Sequence, residues 1–138
     1  MWLELIIYFT VRNSEEFTHS DTGVKFIWDI PENGNSVSSL LSENTPRNEV
    51  DVMAVRGIRP LFISCKTRAP INEDLNELYA IREHFGGELA CAALATTKRV
   101  ETDSPIYERA RAMGIEIIHE NDLDFGNAKN KLLNFFEV

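Results

Sequence analysis

Hydrophobic and polar positions along the chain divide it into segments with helical or strand spacing. Trp2–Arg12 is apolar on nearly every side, which indicates a buried helix, although the β-propensity of its residues leaves a strand open. A polar connection, Asn13–Thr22, follows. Val24–Ile30 then alternates as a strand does, with Val24, Phe26, Trp28 and Ile30 on one face. The Ser/Asn-rich stretch Ser36–Asn48 fits either a loop or a short strand fragment.

The centre of the chain predicts an antiparallel hairpin. Glu49–Val55 alternates, and Leu61–Lys66 forms the next apolar strand after a short turn that contains Gly57. In the first strand, Val50, Val52 and Ala54 are expected on one side and Glu49, Asp51 and Met53 on the other.

The second half alternates helix and strand. Asn72 begins a helix that the Gly86-Gly87 pair ends, and Ser104-Pro105 begins another that closes at Gly114. Further elements are a buried strand, an outer strand and a closing helix, at Leu89–Thr96, Ile115–His119 and Asn127–Glu137. The order α–β–β–β–α–β–α–β–α predicts the α/β class, with residues 1–138 forming one domain whose mixed sheet is flanked by helices.

Charge narrows the function classes. The chain has 138 residues, with 14 basic and 22 acidic side chains and a net charge of −8, which argues against non-specific coating of nucleic acid but allows local binding. Four basic residues, Arg56, Arg59, Lys66 and Arg68, lie within a stretch that contains no acid. These residues form either a binding surface or a solvated one. Lys98 and Arg99 similarly either contact phosphate or lie in a solvated loop.

Localisation and redox state follow from what the sequence contains. No apolar run is long enough to span a bilayer and no secretory leader is recognisable, so we expect a cytoplasmic protein without membrane association. Cys65 and Cys91 lie inside apolar runs, as reduced core thiols do.

The three histidines lack the spacing of a helical zinc site. A Ser64 nucleophile assisted by Lys66 is conceivable, but no oxyanion donors are recognisable.

Asp51 and Lys66 are the polar residues most in need of an explanation. Each lies on a largely apolar strand, and an unpaired charge at a half-buried position is costly. Across a hairpin the two can face one side, where a carboxylate could hold Mg²⁺ or Mn²⁺ beside a cation. Such a pair suits phosphodiester hydrolysis. The alternative is an internal Asp51–Lys66 salt bridge.

The stretch Asn48–Met53, followed by a short turn and Leu61–Thr67, resembles the core motif of the PD-(D/E)xK, restriction-endonuclease-like nuclease superfamily. It is most similar to the nuclease domain of CRISPR-associated effectors that join this domain to a cyclic-oligoadenylate-sensing CARF domain. The Trp2-Leu3-Glu4 opening and Arg109–Ile115 also resemble that domain.

The resemblance implies a role for each matching position. Asp51 matches the metal-binding aspartate, Lys66 the catalytic lysine and Glu4 a first-helix metal ligand, and the Cys65 carbonyl is implied as a further ligand. Ser64 departs from the motif, because its position is usually Glu or Asp and a hydroxyl is a weak, neutral ligand for Mg²⁺. Glu49 could compensate.

The family also implies partners. It predicts a DNA or RNA substrate, a homodimer, and a CARF-type sensor domain that is N-terminal or separately encoded. No Gly-rich phosphate loop in this chain replaces such a sensor. The alternative function, favoured by Ser64, is a catalytically weakened nuclease-fold module for nucleic-acid binding or dimerisation.

Overall fold

The computed structural model describes residues 2–27 and 47–133. Its helices are α1 (Trp2–Asn13), α2 (Asn72–Ile81), α3 (Pro105–Ala112) and α4 (Phe125–Leu133), and its strands are β1 (His19–Ile27), β2 (Arg47–Arg56), β3 (Arg59–Lys66), β4 (Cys91–Thr96) and β5 (Ile115–Ile118). A π-helical turn, Arg82–Gly86, extends α2, and a 3-10 turn, Glu120–Asp122, precedes α4. Over these described residues the predicted order of elements is confirmed.

The five strands form one mixed sheet in the order β1-β2-β3-β4-β5. β1, β2 and β3 pair antiparallel, whereas β3, β4 and β5 pair parallel through the crossover helices α2 and α3. The β2–β3 hairpin closes through a two-residue turn between Arg56 and Arg59, in which Gly57 has φ +65. Glycine at the first turn position allows this positive φ without a steric penalty.

Both faces of the sheet are covered, as the α/β class requires. Buried residues of α1 and α4 pack on one face, which we call the α1 face, and buried residues of α2 and α3 pack on the other, the α2 face. The α1 face holds Leu3, Ile7, Val11, Ala128 and Leu132 from the helices, and the α2 face holds Leu75, Leu78, Ile81 and Ala110. β4 is buried at every position, as its uncharged sequence predicts.

The faces of β2 differ from the prediction. Val52 and Ala54 lie in the core of the α1 face, but Val50 lies in the core of the α2 face. Residues two apart on a regular strand share a face, so β2 is irregular between Val50 and Val52. The expectation that Val50, Val52 and Ala54 form one side was therefore wrong. The residue at this irregularity is Asp51.

Several element boundaries differ from the prediction: β2 begins at Arg47 rather than Glu49, β3 at Arg59 rather than Leu61, and β4 at Cys91 rather than Leu89. β1 begins at His19 rather than Val24, so the polar connection is shorter than predicted. Its polar start is accommodated because β1 is an edge strand of the described sheet and most of its side chains from His19 to Lys25 are exposed. The last helix begins at Phe125 rather than Asn127. The predictions for 28–46 and 134–138, including Trp28 and Ile30, lie outside the described residues.

Two smaller predictions concern the core and the membrane. Cys65 and Cys91 are free and buried, and they lie at opposite ends of β3 and β4. Among the described helices, none combines the length and the hydrophobicity needed to cross a bilayer.

Candidate active site

Asp51 lies where the two strands of the hairpin separate. The last β2–β3 backbone pair at this end is Val52 with Ile63. Beyond it, Asp51 Oδ2 accepts the backbone N–H of Cys65 at 2.7 Å. The carboxylate thus takes a donor that a regular ladder would give to a strand carbonyl, and a charged acceptor makes that bond strong. The irregularity in β2 and this hydrogen bond fix the position of Asp51.

Glu4 of α1 meets Asp51 at this position. Burial, followed by the negative charge of Asp51, raises the pKa of Glu4 above its ordinary value. A hydrogen bond between the two carboxyl groups acts in the same direction, and Glu49 adds a smaller repulsion. Glu49 itself is exposed. The structure therefore brings Glu4 and Asp51 together as two acidic groups, and the negative charge of Asp51 disfavours ionisation of Glu4.

These residues fit a hard divalent cation held in part by water. Mg²⁺ is commonly bound through one or two carboxylates while it keeps several water ligands. A cation between Glu4 and Asp51 would also neutralise their repulsion. Within 2–27 and 47–133, however, no three His, Cys, Asp or Glu residues form a potential metal cluster. The donor set fits a two-carboxylate site and does not form a complete protein cage.

Cys65 contributes to the site through its backbone and not through its thiol. Burial, reinforced by the charges of Asp51 and Glu4, raises the pKa of the Cys65 thiol far above neutrality. Without a metal the thiol therefore stays protonated at neutral pH, which argues against a thiolate nucleophile here. The backbone N–H of Cys65 holds Asp51. The role expected for its carbonyl stays a prediction.

Lys66 ends β3 at the same end of the hairpin, but its charged partner comes from α2. Lys66 Nζ lies 3.8 Å from Asp74 Oδ1. In the described part of the chain Asp51 and Lys66 form no ion pair, so the internal Asp51–Lys66 salt bridge is not formed. By strand alternation from Cys65, which packs on the α1 face, Lys66 and Ser64 point toward the α2 face. Ser64 is half-buried, and its backbone pairs with Leu94 of β4.

Asp74 is the site residue that sequence reasoning missed. Its side chain is only 4% exposed, and its carboxylate accepts two hydrogen bonds from Arg68, at 2.7 and 2.9 Å, and the Ile71 N–H at 2.9 Å. Burial pushes its pKa upward, but these bonds and the charges of Arg68 and Lys66 outweigh burial, so the pKa is lowered. The sequence showed Asp74 only as an acid in the first turn of a helix.

The predicted nucleic-acid-binding residues fall into two groups at opposite ends of the sheet. Arg56 pairs with Glu16 at 3.5 Å, and Arg59 donates to the Leu89 carbonyl at 3.3 Å. These two flank the hairpin turn, roughly 16 Å along the strand from Asp51. Arg68, Lys98 and Arg99 follow β3 and β4, near Lys66, and Arg99 pairs with Glu101 at 2.8 Å. Only the second group lies close to the candidate site.

Comparison with known proteins gives one family and several related folds. The family described as "Card1-like, endonuclease domain" matches residues 1–138. The search of curated proteins found no match.

Three solved structures share the fold. Protein VC1899 from Vibrio cholerae is 24% identical with a TM-score of 0.75, over 98% of this chain and 33% of that protein. Can2 from Sulfobacillus thermosulfidooxidans, in complex with cyclic tetra-adenylate, is 14% identical with a TM-score of 0.69, over 99% of this chain and 36% of Can2. Protein AF1548, of unknown function, is 17% identical with a TM-score of 0.54, over 86% and 57%. The chain thus spans about a third of the length of VC1899 and of Can2.

Proposed function

Because this chain belongs to the family of Card1-like endonuclease domains, we propose that it is a Mg²⁺- or Mn²⁺-dependent endonuclease that hydrolyses phosphodiester bonds in DNA or RNA. The observation that carries this proposal is the meeting of the Glu4 and Asp51 carboxyl groups at the open end of the β2–β3 hairpin, where β3 ends at Lys66. Two acids whose negative charges repel each other, close to a strand that ends in lysine, suit a cation and a phosphate.

Each residue has a distinct proposed role. Asp51, held by the Cys65 N–H, and Glu4 would hold the cation, and the Cys65 carbonyl and Glu49 are further candidate ligands. When bound, the cation supplies Lewis-acid activation of the phosphodiester and of the attacking water. The Lys66 ammonium points toward the α2 face, whereas Glu4 comes from α1, so its proposed role requires the phosphate to lie across the open end of the hairpin. There the ammonium would orient the attacking oxygen and stabilise charge that develops on the phosphate. The neutral Ser64 leaves the site one carboxylate short of the usual motif.

Substrate binding is proposed at the carboxyl ends of β3 and β4. Arg68 and Lys98 are exposed there. With a net charge of −8, the chain as a whole does not attract nucleic acid, so we expect local cations to guide the substrate. Arg99 adds to this group only if it leaves Glu101.

Cleavage assays with matched variants test the proposal. Purified protein is incubated with Mn²⁺ or Mg²⁺ and with single- and double-stranded DNA and RNA. We expect cleavage that chelation abolishes, and losses of at least about 100-fold in Asp51→Asn and Lys66→Met, because each removes a group that acts on the reacting phosphate.

The controls carry the same charge changes elsewhere. Asp21→Asn and Lys25→Met alter exposed residues of β1 and should cut like the parent. Absence of cleavage on all four substrates with either cation would contradict the proposal. So would Asp51→Asn or Lys66→Met cutting at the parental rate.

The proposed biological setting is CRISPR-linked defence. The fold is shared with Can2, whose structure contains cyclic tetra-adenylate. Because the chain corresponds to about a third of Can2, we place the proposed CARF-type sensor outside it, either N-terminal or separately encoded. A homodimer is proposed on the same basis. Analytical ultracentrifugation of the chain, with and without its sensor partner, tests both.

A second candidate function is a nuclease-fold module that binds nucleic acid or dimerises without cutting. The observations that favour it are the neutral Ser64 and the lack of a three-residue metal cluster among the described residues. Calorimetric titration with Mn²⁺ separates the two functions. Binding that Asp51→Asn removes supports the nuclease, whereas no binding in either protein supports the module.

A further inference from the structure

The loop after β3 is hydrogen-bonded to Thr96 at the end of β4 and to Thr97 just after it. Three consecutive carbonyls accept hydrogen bonds from two threonines: Lys66 O from Thr97 N at 3.3 Å, Thr67 O from Thr97 Oγ1 at 3.0 Å, and Arg68 O from Thr96 Oγ1 at 2.9 Å. Thr96 is fully buried. The backbone that carries Lys66 and Arg68 is therefore fixed to the neighbouring strand.

The side chains of Lys66 and Arg68 converge on Asp74. Arg68 binds both oxygens of this carboxylate, at 2.7 and 2.9 Å, and the Ile71 N–H takes a further position on Oδ2. Lys66 Nζ stays 3.8 Å from Oδ1, beyond the usual range of a hydrogen bond. Asp74 thus attracts Lys66 by charge without taking its N–H donors.

From this arrangement we propose that Asp74 is a positioning residue, which aims the Lys66 ammonium and the Arg68 guanidinium together at a phosphate of the substrate. The proposal rests on the proposed nuclease function. Lys66 is 28% exposed and Arg68 51% exposed, whereas Asp74 is 4% exposed, so the two cations lie outside the carboxylate that holds them. The Lys66–Arg68–Asp74 group by itself carries one net positive charge, which suits a phosphodiester, although Glu73 and Glu77 also act on Arg68.

Arg68 has a specific part in this arrangement. Because it occupies both Asp74 oxygens, it prevents the carboxylate from capturing Lys66 in a close ion pair. Captured ammonium donors could not reach a substrate oxygen. Ser64 lies two residues before Lys66 on the same face of β3 and supplies no charge. The carboxylate that orients Lys66 in this chain therefore comes from α2.

The first test is the variant Asp74→Asn, with Glu73→Gln as its control. Asparagine can still accept the Ile71 N–H. Glu73 is an exposed acid in the same helical turn, so each variant removes one negative charge from the first turn of α2. If Asp74 only adds local negative charge, its removal tightens substrate binding and leaves kcat unchanged. If it positions Lys66, kcat falls about 10- to 100-fold while KM stays equal or falls.

A second readout does not depend on cleavage. Lys66 is one of five lysines, so selective ¹³C labelling and Lys66→Met assign its side-chain signal by NMR. We expect the order parameter of the Lys66 ε-methylene to be lower in Asp74→Asn than in Glu73→Gln or the parent. Arg68→Met provides a variant that keeps the capping carboxylate, and its kcat should also fall, because Asp74 can then capture Lys66.

The outcomes separate this proposal from the proposed function. Unchanged kcat in Asp74→Asn, together with loss of cutting in Lys66→Met, overturns the positioning role and leaves the nuclease intact. An unchanged Lys66 order parameter overturns it whether or not the protein cuts. Altered order of Lys66 in a protein that cuts nothing supports only the contact by which Asp74 orders Lys66, and it overturns both the nuclease and the aiming of Lys66 at a substrate phosphate.

Discussion

Two acidic sites lie at the open end of the same hairpin, and they are balanced in opposite ways. At Glu4–Asp51, two carboxyl groups meet and the pKa of Glu4 is raised, first by burial and then by its neighbour's charge. At Asp74, a more buried carboxylate has two cations and a backbone N–H, and its pKa is lowered despite burial. Burial is the largest cause at both acids, and the pKa of Asp74 is lowered because its hydrogen bonds and neighbouring positive charges together outweigh burial.

The difference indicates what each site contributes. A carboxylate whose bonds are complete stabilises the fold and holds its partners in place. Because the pKa of Glu4 is raised, ionising it beside Asp51 costs stability at neutral pH, and such unfavourable arrangements are typical of positions kept for function. These differences support the proposed roles, in which Asp74 holds its partners in place and Glu4 and Asp51 bind the cation.

The largest expected effect on stability comes from removing the Asp74 carboxylate, which has two cations and a backbone N–H as partners. Asp74→Ala should lower the free energy of unfolding by about 2 kcal/mol, because it removes a buried acceptor of three hydrogen bonds and the N-terminal contact of α2. Urea denaturation at pH 7 measures this change.

Glu73→Ala is the matched control, since Glu73 is exposed in the same turn and its loss should change stability by about 0.5 kcal/mol or less. Equal effects of the two substitutions would remove the contrast between the acidic sites. An Asp51→Asn variant as destabilised as Asp74→Ala would do the same.

A bound divalent cation should stabilise the protein through the Glu4–Asp51 site and not through Asp74. Mn²⁺ at ten times its Kd should add about 1.4 kcal/mol to the stability of the parent, from mass action on the folded state. Asp51→Asn should lose this gain, whereas Asp74→Asn and the exposed-residue control Asp21→Asn should keep it. Thermal melts with and without Mn²⁺ measure the difference, and an equal gain in Asp51→Asn would place the cation elsewhere.

The sequence was enough to predict the order of elements, because hydrophobic spacing differs between helix and strand. The polar start of β1 was missed, since an edge strand of this sheet can keep exposed polar side chains and still pair along its backbone. The placement of Val50 was missed too. It depends on an irregularity at Asp51 that a period of two does not show.

The candidate site divides in the same way. Glu4, Asp51 and Lys66 could be proposed from their positions and from a family motif, and the structure brings Glu4 to Asp51. The partner of Lys66 could not be predicted, because Asp74 lies eight residues further along and reaches Lys66 only after α2 folds back on the sheet. Arg56 and Arg59 were close to Lys66 in sequence, yet the hairpin places them at its far end.

The smallest expected effect reverses sign between the two sites as pH changes. Because the folded-state pKa of Glu4 is raised, its contribution to stability is present below its unfolded value of 4.5 and is lost as pH rises through the folded value. Glu4→Gln escapes that loss, so without metal its free energy of unfolding should exceed that of the parent by about 0.5 kcal/mol at pH 7 and show no advantage below pH 4.5.

Asp74 has a lowered pKa, so its contribution is present above its unfolded value of 3.8 and is lost as pH falls through the folded value. Asp74→Asn should therefore be weaker than the parent at pH 7 and approach it in acid. Urea melts from pH 3 to 8 measure both differences, and parallel curves for the two variants would show that the acidic sites are not balanced in opposite ways.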